Sequence, residues 1–237
     1  MFDSALVAAV RRRHTSTGHI VQVDYFRDLY SGHYEAHTTV AETFTGSVLG
    51  LGVAAELDGE IASLDGVTWQ IRDDGIPILA APDVGMPFAI AAFGGVALTD
   101  ELHPGDDFAP ITTRIDAALS STDPHAVAAV RIDGSFTDVL LRSEPRQTPP
   151  FDPLPTVLDH EVRFAFPTWS GTLMGFRFPD VDDGEIVPGL HLHAISADRS
   201  SGGHCHTATV QQATITIWFD DLQIQVPEHP HEAQPLT

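Results

Sequence analysis

The sequence predicts a β-rich α+β protein, built as two lobes with mixed β-sheets and a few short helices. Three observations carry this. Five Asp-Gly pairs, at 58–59, 65–66, 74–75, 133–134 and 183–184, punctuate the chain, and such pairs supply the positive φ of tight hairpin turns. Short apolar, β-type runs lie between them. Helical periodicity is confined to a few stretches.

In chain order, FDSALVAAVRRRH (2–14) reads as a short helix with Asp3 or Ser4 as its cap. Its positive charges follow the apolar run, the reverse of a signal peptide. HIVQVDYF (19–26), SVLGLGVA (47–54), EIASL (60–64), TWQIR (68–72) and FAIAAFGGVAL (88–98) read as strands. TTVAETF (38–44) and TTRIDAALSS (112–121) read as helices opened by threonine caps. Around the second, Ile111, Ile115, Ala118 and Leu119 share one face. AVAAVRI (126–132) and FTDVLLR (136–142) read as a hairpin across Asp133-Gly134. EPRQTPPFDPLP (144–155) carries five prolines and no periodicity, so it reads as a linker or wrapped connection. It divides an N-terminal α/β lobe (1–143) from a C-terminal β-rich lobe (144–237). The C-terminal strands are VLDHEVRFAF (157–166), GTLMGFRF (171–178), VPGLHLHAI (187–195), GHCHTATV (203–210) and ATITIWF (213–219).

Composition narrows the chemistry. Among 237 residues, 12 are basic and 33 acidic, giving a net charge of −21. Every basic residue is arginine. Without lysine there is no Schiff base and no P-loop cation. The negative field disfavours nucleic acid as a partner. No apolar run approaches the roughly 20 residues that span a bilayer, so no membrane partner is expected. The single Cys205 cannot close an intrachain disulfide, which points to a reducing, cytoplasmic setting.

The most informative stretch is VPGLHLHAISADRSSGGHCHTATV (187–210). His191 and His193 are two apart on a strand and so share a face. The turn-rich SADRSSGG leads to His204 on the next strand, so a hairpin brings three imidazoles together. Three histidines with an open position suit a catalytic zinc. Two histidines with a carboxylate would suit an iron oxygenase, and three histidines do not exclude iron. A binding module holding metal without turnover, or a plain His-x-His pair with no metal, fits the same spacing. His206 reads as a fourth ligand, an outer partner or an exposed residue. His229 and His231 read as solvated tail residues. Cys205, between two same-face histidines, reads as a buried apolar residue on the opposite face. Glu56, Glu60, Arg131, Arg142 and Arg146 are the charged candidates that such a site would need, and spacing alone does not bring them to the histidines.

Five pieces in order resemble the alpha-acetolactate decarboxylase family over residues 20–226: LGVAAELDGEIASLDGVTWQIRDDG, MPFAIAAF, VRIDGSFTDVLLRSEPRQTPPFDPL, GTLMGFRFP and VPGLHLHAISADRSSGGH. The resemblance implies a metal-dependent lyase that converts 2-acetolactate, a small 2-hydroxy-3-oxo acid, to acetoin and carbon dioxide. It implies zinc (Zn2+), or another divalent metal, on His191, His193 and His204, acting as Lewis-acid electron sink. It implies active-site roles for Glu60, in the LDGE motif, and Arg142. It also implies two α/β lobes, a metal site on a hairpin of the C-terminal lobe, and pairing into a homodimer. Two departures stand out. The family's C-terminal tail glutamate has only Glu228 or Glu232 as counterparts here. Cys205 and His206 occupy positions where the family carries apolar residues.

Overall fold

The computed structural model describes residues 18–95, 97–119, 127–181 and 183–227. The helix expected over 2–14 and the tail residues Glu228, His229, His231 and Glu232 lie outside the described residues. In chain order the elements are β1 (His19–Val23), α1 (Phe26–Tyr30), β2 (Thr38–Thr39), α2 (Val40–Phe44), β3 (Leu49–Val53), a 3₁₀ turn (Ala55–Leu57), β4 (Glu60–Leu64), β5 (Val67–Ile71), β6 (Pro77–Leu79), β7 (Gly85–Met86), β8 (Phe88–Phe93), β9 (Ala97–Leu102), α3 (Phe108–Leu119), β10 (Val127–Ser143), α4 (Leu154–Leu158), β11 (Val162–Phe178), β12 (Gly189–Ser196), β13 (Gly202–Asp220) and β14 (Leu222–Gln225).

The strands form a seven-stranded sheet, β14-β1-β8-β3-β4-β5-β6, and a five-stranded sheet, β10-β11-β12-β13-β9, with a small β2-β7 ladder. The first sheet is mixed: β1 and β14 are parallel, and the other neighbours antiparallel. In the second, β10 also pairs with β13, so β10 to β13 close on themselves. No helix among the described residues is long and apolar enough to cross a membrane.

The AVAAV run explains the layering. Val127 and Ala129 join a core shared with Leu51, Ile71 and Phe88 of the first sheet. Ala128, Val130 and Ile132 join a second core beneath α3. A strand buried on both faces has to be apolar at nearly every position. α3 covers that second core with Ile111 and Ile115, on the face its spacing predicts. α2 begins at a full capping box, Thr39 with Glu42, as the threonines before it suggest.

Two expectations are corrected. Asp133-Gly134 is not a turn: β10 runs straight through it, Gly134 opposing Gly171 on β11 and Ala213 on β13. The glycine serves close packing instead, because a Cβ there would lie 2.2 Å from the Gln212 carbonyl oxygen. Similarly, 203–210 and 213–219 merge into β13, and 162–178 into β11, while 88–98 splits between the two sheets. β9 and β10 lie with β11–β13, and β14 returns to pair with β1. The proline-rich stretch wraps the first sheet, with the Gln147 amide donating to the Glu56 carbonyl at 2.7 Å and the Tyr34 hydroxyl to the Asp152 carbonyl at 2.9 Å.

Candidate active site

Along β12 the side chains alternate. Leu192 and Ala194 enter the second core, whereas Ile195 joins the core between the sheets. His191 and His193 share the parity of Ile195 and therefore face the seven-stranded sheet. The hairpin returns as β13 with His204 directly opposite His193. On its other side His204 opposes Arg142 of β10. One cross-strand row thus carries Arg142, His204 and His193. The ligand atoms of His191, His193 and His204 all lie within 4.8 Å of one another. Cys205 points into the second core and is buried, which pushes its thiol well above the ordinary range.

Glu60 comes from the opposite sheet. Ala62, two residues on, belongs to the core between the sheets, and Glu60 shares its parity. The turn before it is tightly set. Glu56, Leu57 and Gly59 all have positive φ, at 60°, 51° and 98°. Asp58 anchors the turn through hydrogen bonds from Gln70 and Arg72. Glu60 is 4% exposed. Its Oε1 accepts from Arg142 Nη1 at 2.9 Å, and its Oε2 lies 3.2 Å from His193 Nε2. Burial pushes its carboxyl above the ordinary range, against the pull of Arg142 and His191.

The imidazoles are suited to hold a metal. Burial drives His191 and His193 down to about 3 and His204 well below its ordinary value, so all three are neutral near pH 7. His193 Nδ1 sits 2.8 Å from the Ile61 carbonyl oxygen. A carbonyl only accepts, so Nδ1 carries the proton and Nε2 presents a lone pair. That lone pair faces a Glu60 oxygen, and the contact is repulsive unless a proton or cation lies there. His204 Nδ1 is buried with no partner among the described residues. An orphaned buried nitrogen beside two lone-pair donors is what a metal site requires.

Arg142 is buried and ringed by carboxylates. It pairs with Glu60 and Glu144 through Nη1 and with Glu161 through Nε at 3.1 Å. Glu161 in turn meets His206 Nε2 at 3.0 Å. Burial raises the Glu161 carboxyl, but Arg163, Arg142 and His206 outweigh it and hold the group below the ordinary range. A pocket of about 200 Å³ has Glu60, Arg142, Glu144 and the three histidines as its polar lining, and Phe26, Leu51, Val53 and Phe88 among its apolar wall.

Of the sequence candidates, Glu60, Arg142, His191, His193 and His204 converge on this pocket. Glu56 and Arg146 do not: they form an exposed ion pair with each other. Arg131 pairs with Asp65 and Asp133. His206 stands beyond Arg142, on Glu161, rather than in the pocket lining. Sequence reasoning missed Glu144 and Glu161. Glu144 carried a usable signal, its i, i+2 spacing from Arg142, but it sits in a stretch that reads as linker.

Comparison with known proteins places the chain in a family. The family described as alpha-acetolactate decarboxylase matches residues 20–234. The chain is 34% identical over 209 residues to the alpha-acetolactate decarboxylase of Klebsiella aerogenes, covering 88% of this chain and 80% of that one. It is 35% identical over 209 residues to that of Raoultella terrigena, with the same coverage of 88% and 80%. The crystal structure of alpha-acetolactate decarboxylase from Bacillus subtilis strain 168 superposes with a TM-score of 0.83 at 27% identity, covering 90% of each chain. On this sequence match and this fold, the chain belongs to the alpha-acetolactate decarboxylase family.

Proposed function

We propose that this protein decarboxylates 2-acetolactate to acetoin and carbon dioxide, with zinc as the metal on His191, His193 and His204. The observation that carries the reading is the convergence, in a member of this family, of three neutral imidazoles, one buried carboxyl and one arginine on a single pocket. Three neutral nitrogen donors suit zinc over magnesium or calcium, which prefer oxygen.

When bound, the metal supplies Lewis acidity to the electron pair left as carbon dioxide departs. The chain has no lysine, so no imine can take that pair. Arg142 contributes fixed positive charge. It lines the pocket, and its planar guanidinium suits a substrate carboxylate. Glu60, buried and held above the ordinary carboxylate range, carries the proton that replaces carbon dioxide on the substrate carbon. One proton is consumed per turnover, and Glu60 regains it from solvent. The apolar walls keep bulk water from the reacting carbon and strengthen each electrostatic contact. Arg142 and the metal must also overcome the net charge of −21 to admit an anion.

The reading includes a cytoplasmic setting, favoured by one buried, unpaired cysteine, and a homodimer, which light scattering on the purified protein tests. The decisive assay is acetoin and carbon dioxide release from racemic acetolactate. Activity should vanish with a chelator, return with zinc, and be indifferent to oxygen. Zinc-loaded protein that forms no acetoin overturns the assignment, and an oxygen requirement would indicate an iron oxygenase instead.

A further inference from the structure

Glu144 is the one polar group of the pocket that this mechanism leaves idle. It follows β10, two residues beyond Arg142, and is 3% exposed. The strand end is pinned between them, because the buried Ser143 hydroxyl donates to the Ile71 carbonyl at 2.9 Å. One Glu144 oxygen, Oε1, is held by Arg142 Nη1. The other, Oε2, is buried and has no hydrogen-bond partner among the described residues. A carboxylate oxygen left in that state costs far more than a paired one, unless a ligand supplies the donor.

The rest of the pocket shows which ligand group that is. Glu60 Oε1 is taken by Arg142 Nη1, and its Oε2 faces the His193 Nε2 lone pair at 3.2 Å, on the metal side of the pocket, where the mechanism uses it to carry a proton. The three histidines each offer one nitrogen within 4.8 Å of the others, the set that would hold the metal. Glu144 Oε2 is the pocket's buried carboxylate oxygen that has no hydrogen-bond partner among the described residues and no part in the proton transfer. A 2-hydroxy-3-oxo acid has a single hydrogen-bond donor, its C2 hydroxyl. We propose that Glu144 is a specificity-determining residue: Arg142 fixes its Oε1, and its Oε2 accepts the hydroxyl hydrogen of the substrate. The enzyme thereby selects 2-hydroxy acids over 3-oxo acids that lack the hydroxyl. This rests on the function proposed above, but it is tested by binding rather than by turnover.

Two stable acids with the substrate's carbon skeleton isolate the contact: 2-hydroxy-2-methylbutanoate and 2-methylbutanoate, which lacks the hydroxyl. Their affinities for zinc-loaded protein are measured by calorimetry, with bound zinc quantified in parallel. The wild-type protein should prefer the hydroxy acid. In Glu144→Leu that preference should fall by about tenfold or more, the loss of a hydrogen bond to a charged acceptor, while affinity for 2-methylbutanoate changes less than about twofold. Glu144→Gln keeps an acceptor oxygen and should recover part of the preference, which also guards against a leucine variant that fails to fold. Three results would overturn the proposal: an unchanged preference in both variants, an equal loss of both ligands with zinc retained, which makes Glu144 a support for Arg142 only, or loss of zinc, which makes it a metal ligand. Failure of the wild-type protein to form acetoin, with the preference intact, counts against the assigned reaction and not against this contact.

Discussion

The two sheets contribute to the pocket in opposite ways. The five-stranded sheet supplies four side chains through its ladders: His191 and His193 by strand alternation, and His204 and Arg142 by direct cross-strand pairing just past a register shift at Leu140/Leu141. The seven-stranded sheet supplies Glu60 at the end of a turn with three residues at positive φ. A ladder fixes positions redundantly, through many backbone hydrogen bonds. A strained turn fixes one position and depends on each of its residues. Damage should therefore separate by sheet: loss of metal from one, loss of chemistry from the other.

The largest expected effect is at His193. His193→Ala removes a buried donor and its bond to Ile61. Bound zinc and activity should fall together, the latter on the order of a thousandfold or more. Zinc analysis beside kcat/KM checks this, and retained metal would take His193 out of the ligand set. Glu60→Gln is the contrasting change. It keeps the shape and a hydrogen bond with Arg142 but cannot carry the proton. Zinc should stay bound while kcat falls roughly 10²–10⁴-fold. A Glu60→Gln protein that loses zinc would show that the first sheet ligates the metal too.

The turn itself comes next. Gly59 has φ +98°, and a Cβ would lie 2.3 Å from the Ile71 carbonyl oxygen. Gly66, with φ +79°, has nothing within 4 Å. Gly59→Ala should cost several times what Gly66→Ala does, since the latter meets backbone strain of about 1 kcal/mol alone. Each kcal/mol is worth about 2–4 °C in a chain of this size, so the two melting temperatures should separate clearly. Only Gly59→Ala should also depress kcat, because Glu60 follows it.

Protonation separates the sheets by sign. His191 and His193 are held at about 3, below their ordinary value. Between pH 6.5 and 3 the unfolded chain binds protons that the folded chain refuses. Metal-free protein should therefore lose stability as pH falls through that window, by roughly 1 kcal/mol per pH unit for each such histidine. Glu60 acts the other way: its raised value adds stability at low pH that is lost as pH rises through it. Denaturant titrations of chelated protein at pH 7, 6 and 5 should show the acid-side loss, and Glu60→Gln should steepen it. A flat profile would mean that the histidines are not buried as neutral groups.

What the sequence makes legible follows the same division. Strand parity and hairpin return are local rules, so His191, His193 and His204 can be grouped from spacing alone. Nothing local connects Glu60 to them; their meeting depends on how two sheets face each other, and only the family resemblance points to it. Asp133-Gly134 misleads for the same reason. Its composition suits a turn, but Gly134 is there because β11 and β13 crowd it from both sides. Glu144 and Glu161 are hidden because one sits in a proline-rich connection and the other just before β11, and only Arg142 links them.

The smallest effect is expected at His206, and it sharpens where the metal-binding face ends. His206 follows His204 by two residues, and their rings are 5.3 Å apart. Yet its Nε2 meets Glu161, and Glu161 is also held by Arg163 and Arg142. Arg142 keeps Glu60 and Glu144 when Glu161 shifts. Removing one member of so redundant a set should be mild. His206→Ala should retain zinc and lose no more than about threefold in kcat/KM, whereas His204→Ala should behave like His193→Ala. Loss of zinc from His206→Ala would extend the ligand set to four. The metal face of β13 would then run two residues further than the pairing of His204 with His193 implies.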